Sequence, residues 1–210
     1  MKAFLPFAAS LLLILCSTLT PAQANPPRPL KPRLRAELLK RIAQDQATRN
    51  LWLQERTEAA SAKMTGVDGA NTKRMKAIVA RYGWPGKSLV GQDGANAAWL
   101  LVQHADRDLA FQAQCLALMS AAPPGEVALP DLALLTDRVL VAQGKKQRYS
   151  TQFGGIVGQP DSMTMKPTED EAHLDERRAA MGLPPIAEYR ERLRTVYAAP
   201  PKSAQEKKTP

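Results

Sequence analysis

Residues 130-PDLALLTDRVLVA-142 decide the class of fold. Proline in the first turn of a helix gives up no intrahelical hydrogen bond, and Gly144 supplies the stop. Between them the run is apolar nearly all round, as a helix central to a packed fold should be. Asp137 and Arg138 interrupt it midway, so a central helix carries an acid and a base that its surroundings must accommodate.

The helical period continues upstream. Residues 109-LAFQAQCLALM-119 begin a helix to about 121, with Asp108 as its N-cap. Another helix starts at Asp93 or Gly94 and passes through Trp99 to about Ala105. Before it, 83-GWPGKSLVG-91 reads as a turn-rich loop. A short helix over 72–82 takes Asn71 as N-cap and Gly83 as stop, after a loop holding Gly66, Asp68 and Gly69. The first helix spans about Leu34 to Ala62. Its Leu34, Leu38, Ile42, Trp52 and Leu53 fall on one arc, and Asp45 and Arg49 project into that same arc one turn apart.

Downstream the period changes. In 147-QRYSTQF-153, Gln147, Tyr149, Thr151 and Phe153 alternate with Arg148, Ser150 and Gln152, as in a strand. After Gly154, Gly155 and Gly158, residues 162-SMTMK-166 are the second arm of a hairpin. Thr168 to Glu171 reads as a capping box opening a helix to about Met181, and a last helix covers about 185–197. The expected fold is mainly α, with an α+β character: about six helices around one core and a single small β-hairpin.

The ends read differently. A lysine, a short apolar run and Ala22-Gln23-Ala24 make residues 1–24 a secretory signal peptide, with cleavage expected after Ala24. The run is short for a membrane anchor. Leu15 stands before Cys16, where lipid attachment wants a small residue. Residues 25–33 form a proline-rich leader, 34–197 a single mainly helical domain, and 198–210 a disordered basic tail. The expected product is exported, periplasmic or extracellular, monomeric, and not stably inserted in a membrane. The chain carries a formal net charge of +9, much of it near the ends, which favours anionic surfaces but equally serves solubility. Cleavage leaves one cysteine, Cys115, which rules out an internal disulfide and reads as a small core residue.

Among the candidates for chemistry, His104 is the natural general base or acid. It lies in 99-WLLVQHADRD-108, beside Gln103, Asp106 and Asp108. A helix C-terminus also favours a histidine for its dipole alone. Asp45 and Arg49, and likewise Asp137 and Arg138, mark either a cleft or a structural ion-pair network, since a buried pair costs much to desolvate. Gln147, Tyr149, Thr151 and Gln152 suit hydrogen bonding to a sugar, peptide or nucleotide, or else line a solvated edge strand guarded by Arg148. No metal and no cofactor is expected: two histidines, one mature cysteine and the weak Asp106-Arg107-Asp108 pattern fall short of a ligand set. There is no phosphate-binding glycine loop and no GxSxG elbow. The lysines are not interleaved with aromatics, so nucleic acid is not an expected partner.

The run GWPGKSLVG, then AAWLLVQHAD, then LLTDRVLVAQGKKQRYSTQF, then DERRAAMGLPPIAEY, resembles a bacterial family catalogued as domain of unknown function 6624. The likeness covers about Leu34 to Tyr189. It matches an acid and an arginine to Asp45 and Arg49, Gln-His-Ala-Asp to 103–106, and Thr-Asp-Arg to 136–138. It matches Gln-x-Tyr-Gly-Thr-Gln to 147–152, with Ser150 where the pattern has glycine, a residue that permits close backbone approach. The resemblance implies no reaction. The reading that joins these residues is a polar cleft acting as a hydrolase or group transferase on a polar envelope-derived substrate. His104, Asp137 and Arg138 would be catalytic, with Asp45, Arg49, Gln103, Gln147, Tyr149, Thr151 and Gln152 binding the substrate. The alternatives are a non-catalytic module for a cell-wall polymer or partner protein, and a buried polar network that only fixes the helices.

Overall fold

A computed structural model describes residues 29–156 and 159–198. The expected signal peptide, residues 25–28 of the leader, Gly158 and the tail beyond 198 lie outside the described residues. The helices are α1 (Pro32–Glu55), α2 (Glu58–Tyr82), α3 (Lys87–Gln103), α4 (Leu109–Ser120), α5 (Leu129–Ala142), α6 (Leu174–Ala180) and α7 (Ile186–Ala198). One antiparallel hairpin pairs β1 (Phe153–Ile156) with β2 (Gln159–Met165), and a 3-10 turn, Glu171–His173, precedes α6. The fold is mainly α with a small hairpin, as expected, with seven α-helices among the described residues.

The core gathers Leu38, Met75, Ile78, Val90, Leu101, Val102, Cys115 and Leu135, all almost fully buried, and so joins α1 to α5. The expected arc of α1 holds for Leu34, Leu38 and Ile42 and fails at Leu53, which is exposed because the helix runs past the core there. None of the helices is long and apolar enough to cross a membrane, among the described residues.

Three boundaries differ from expectation. The first break falls at Arg56, not at the glycines. Arg56 adopts a left-handed φ of 52°, and Thr57 caps the next helix by accepting from Ala60 N at 3.1 Å. α2 then runs unbroken through Gly66 and Gly69, whose cost of roughly 1 kcal/mol each in a helix is met by packing. Asn71 is therefore no cap. It is buried inside α2 and accepts from Arg41 Nη1 at 3.2 Å. α3 begins at Lys87 and kinks at Gly91 (φ 77°, ψ 166°), so the expected loop is partly its first turn. Asp93 pins the kink, accepting from Gly94 N at 2.8 Å and from Arg35 Nε of α1 at 2.8 Å.

The third difference lies after α5. Residues 147–152 form no strand. They bend around the Asp137 carboxylate, with Ser150 at φ 52°, and only then does β1 start. Thr168 opens no capping box either: it bridges to Gln147, and its hydroxyl meets Ser150 Oγ at 2.7 Å. The expected Asp108 cap is present, accepting from Phe111 N at 3.1 Å.

Candidate functional site

His104 caps the C-terminus of α3, where its ring meets the buried faces of α1 and α2. Four charged or titratable side chains converge there. Asp45 is fully buried, and its carboxylate lies 2.9 Å from His104 Nδ1. Arg49, one turn along α1, donates from Nε to Asp45 at 3.2 Å and from Nη2 to Asp68 of α2 at 2.6 Å. Arg49 Nε also stands 3.0 Å from His104 Nδ1. A neutral imidazole nitrogen cannot donate to Asp45 and accept from Arg49 at once. The carboxylate is the stronger acceptor for both, so Nδ1–H and Nε–H are assigned to Asp45. His104 Nε2 is then the nitrogen with no protein partner among the described residues.

The carboxyls respond to this crowding in opposite ways. Burial pushes the Asp45 carboxyl up, but the hydrogen bond and charge of His104, together with Arg49, outweigh it and hold it below the usual aspartate range. Burial also pushes Asp68 up, the charge of Asp45 adds to it, and Asp68 ends above that range despite Arg49. Two neighbouring carboxyls driven apart in this way are common at reactive sites, and also occur in structural networks.

His104 and Asp68 line a cavity of about 430 Å³. One wall is a face of α2: Thr65, Asp68, Gly69, Thr72, Lys73 and Lys76. These recur at the three- and four-residue steps that share one side of a helix. The other wall is the α3–α4 turn from His104 to Asp108.

Asp45, Asp68 and His104 each offer an atom within 4.8 Å of the others, close enough for a metal ion. The Arg49 guanidinium already lies against both carboxylates, so a divalent ion would have to displace a paired cation. That arrangement suits a proton-handling cluster better than a metal centre.

The remaining residues singled out in the sequence lie elsewhere. Asp137 is fully buried and accepts from the backbone N–H of Arg148 at 2.7 Å, Tyr149 at 3.1 Å and Thr151 at 2.9 Å, and from Thr151 Oγ1 at 3.0 Å. Gln147 is fully buried and staples the same loop, donating to Gln152 O and Lys166 O and accepting from Gln152 N. Gln152 Nε2 donates to Thr151 Oγ1. Tyr149 lies under the Arg148 guanidinium. This group does not line the cavity. Arg138 reaches its edge, donating to Asp106 at 2.7 Å. Gln103 is buried with neither amide atom partnered among the described residues. His173 sits on the surface beside Asp170. Cys115 is fully buried and its thiol is pushed up to about 12 by burial, so it is an inert core residue.

Sequence reasoning missed Asp68, Lys73 and Arg178. The signal for the first two was the helical spacing of 65, 68, 69, 72, 73 and 76, hidden by reading the glycines as a loop. Arg178 is fully buried on α6 and donates to the carbonyls of Tyr149 at 2.5 Å and Pro184 at 2.8 Å.

Outside the cavity, Asp131 at the start of α5 is pushed up to about 6 by burial, against a hydrogen bond from Asn96 that lowers it. A folded value above the unfolded one means the native state holds the proton more tightly. Its ionisation therefore costs stability as pH rises from about 4 to 6. Asp131→Asn should stabilise the protein at pH 7 by on the order of 1 kcal/mol, since partial exposure discounts the shift, and should do little at pH 4. Urea unfolding at the two pH values reads the difference.

A model described as a family of unknown function, DUF6624, matches residues 32–201, and the chain belongs to that family. Neither the curated proteins nor the solved structures contain a match.

Proposed function

We propose, for this member of a family without an assigned activity, an exported hydrolase or group transferase in which Asp45 and His104 act as a dyad. The carrying observation is the Asp45–His104 contact at 2.9 Å on the wall of a 430 Å³ cavity. Asp45 fixes the ring through Nδ1–H. His104 Nε2 then takes a proton from a water or substrate hydroxyl as that oxygen attacks the substrate's carbonyl or phosphoryl centre, and the imidazolium returns the proton to the leaving oxygen or nitrogen as its bond to that centre breaks. The imidazolium formed is stabilised by Asp45, with Asp68 alongside. Arg49 keeps both carboxylates in place and is a positioning residue. Asp137 and the loop 147–152 hold the fold. The substrate is polar and fits one small cavity, in keeping with an envelope-derived molecule.

The test is turnover of a panel of envelope-derived esters, amides and phosphoesters by the purified protein. His104→Ala should lose about 10²- to 10⁴-fold in rate. Unchanged turnover in that variant contradicts the assignment. The competing reading, a non-catalytic binding module, rests on the same cavity and predicts ligand stabilisation without turnover in any assay.

A further inference from the structure

The charges around the cavity do not cancel. Each acid on its walls has a cation partner, although Asp68 shares Arg49 with the buried Asp45. Asp68 takes Arg49 at 2.6 Å, Asp106 takes Arg138 at 2.7 Å, and Asp108 takes Lys76. Two further cations line the same space, Lys73 and Arg107, and neither has an ion-pair or hydrogen-bond partner among the described residues. They come from opposite walls, Lys73 from α2 and Arg107 from the α3–α4 turn. Thr65 lines the same α2 wall, about two helical turns from Lys73, with a hydroxyl that likewise has no partner among the described residues.

Unpaired charge of one sign in a cleft draws in ligand of the opposite sign. Lysine offers a point charge, and arginine a fork of donors matched to two oxygens of one group. Two unpaired cations balance two negative charges. A carboxylate satisfies one of them, a phosphate monoester both. We infer that the cavity holds its substrate by a phosphate monoester group clamped between Lys73 and Arg107, with His104 working on the atoms next to it. The inference rests on the cavity being the active site, as proposed above.

The experiment measures the affinity of the purified protein for inorganic phosphate and for acetate by calorimetry. The variants are Lys73→Ala with Arg107→Ala, and separately His104→Ala. Both cations are exposed and unpartnered, so the double variant should keep the wild-type circular dichroism spectrum and melting temperature. Phosphate should bind at least tenfold more tightly than acetate. The double variant should lose tenfold or more in phosphate affinity, and His104→Ala should keep most of it. Equal affinity for the two anions, no measurable phosphate binding, or a double variant that binds like wild type overturns the clamp. Any of these leaves the Asp45–His104 dyad to be judged on turnover. Conversely, turnover that survives His104→Ala removes the dyad, while phosphate affinity that depends on Lys73 and Arg107 still establishes the anion site.

Discussion

Asp137→Ala is expected to be the most destabilising single substitution in the protein. Its carboxylate is fully buried and receives the N–H groups of Arg148, Tyr149 and Thr151 and the Thr151 hydroxyl. Alanine leaves those donors without an acceptor in a place that water does not reach, and each buried orphan costs about 1–3 kcal/mol. The other side of the same loop is held by Arg178, also fully buried, which donates to Tyr149 O and Ser150 O. Peptides 148–151 thus lie between a buried anion and a buried cation. Removing the anion also takes away one of several negative charges that favour the buried Arg178 cation, alongside those of Tyr189 and Asp175. The orphaned donors together cost about 3–5 kcal/mol, or on the order of 10 °C in melting temperature for a chain of this size. Asp137→Asn should cost less, because one carbonyl oxygen still accepts. Circular dichroism melts compare the three proteins, and a loss below about 1 kcal/mol in the alanine variant would refute a structural role for this carboxylate.

Under the proposed dyad, Asp45→Asn is expected to be the change most damaging to turnover that leaves His104 in place. Asparagine is nearly isosteric, but its amide can turn an N–H toward His104 Nδ1 and favour the other tautomer. The corresponding change in a serine protease triad lowers kcat by about 10⁴, and a fall of about 10³ or more in kcat is expected here. Asp45 does not line the cavity, so KM should change little, and that split separates a positioning role from a binding one. The pH dependence of stability has a definite sign. The folded Asp45 carboxyl lies below its ordinary value, so its contribution is complete above the unfolded aspartate range near 4 and is lost as pH falls through the lower folded value. Wild type should therefore lose stability on acidification below about pH 4 more steeply than Asp45→Asn does.

The helical class was legible because apolar residues at steps of three and four, with proline and glycine at the ends, leave few other folds for 109–119 and 130–142. Asp45 and Arg49 were legible for the same reason, since polar residues on an apolar arc need partners. The Asp108 cap followed from residue type alone. What escaped notice depended on tertiary contacts. Gly66 and Gly69 carry weak local preferences that the packing of α2 overrides, and with them went Asp68 and Lys73. The alternation in 147–152 has the period of a strand, but its polar side chains serve a loop wrapped on Asp137, where backbone donors find a better acceptor than a neighbouring strand. Position 150 has a positive φ, which glycine adopts most easily, and this chain accepts the strain of a serine there while its hydroxyl bonds Thr168. Arg178 lies distant in sequence in a charged segment, DERRAA, and nothing local distinguishes it from Arg177, which lies nearer the surface.

The proposed dyad stands or falls on which nitrogen of His104 carries the proton. Nitrogen-15 NMR of the purified protein at neutral pH distinguishes the two ring nitrogens directly. The dyad requires Nδ1 to be protonated and hydrogen-bonded to Asp45, with Nε2 bearing the lone pair, and requires that preference to weaken in Asp45→Asn. A proton on Nε2, with Nδ1 accepting from Arg49, would leave His104 no free base toward the cavity and would make the cluster a strut between helices.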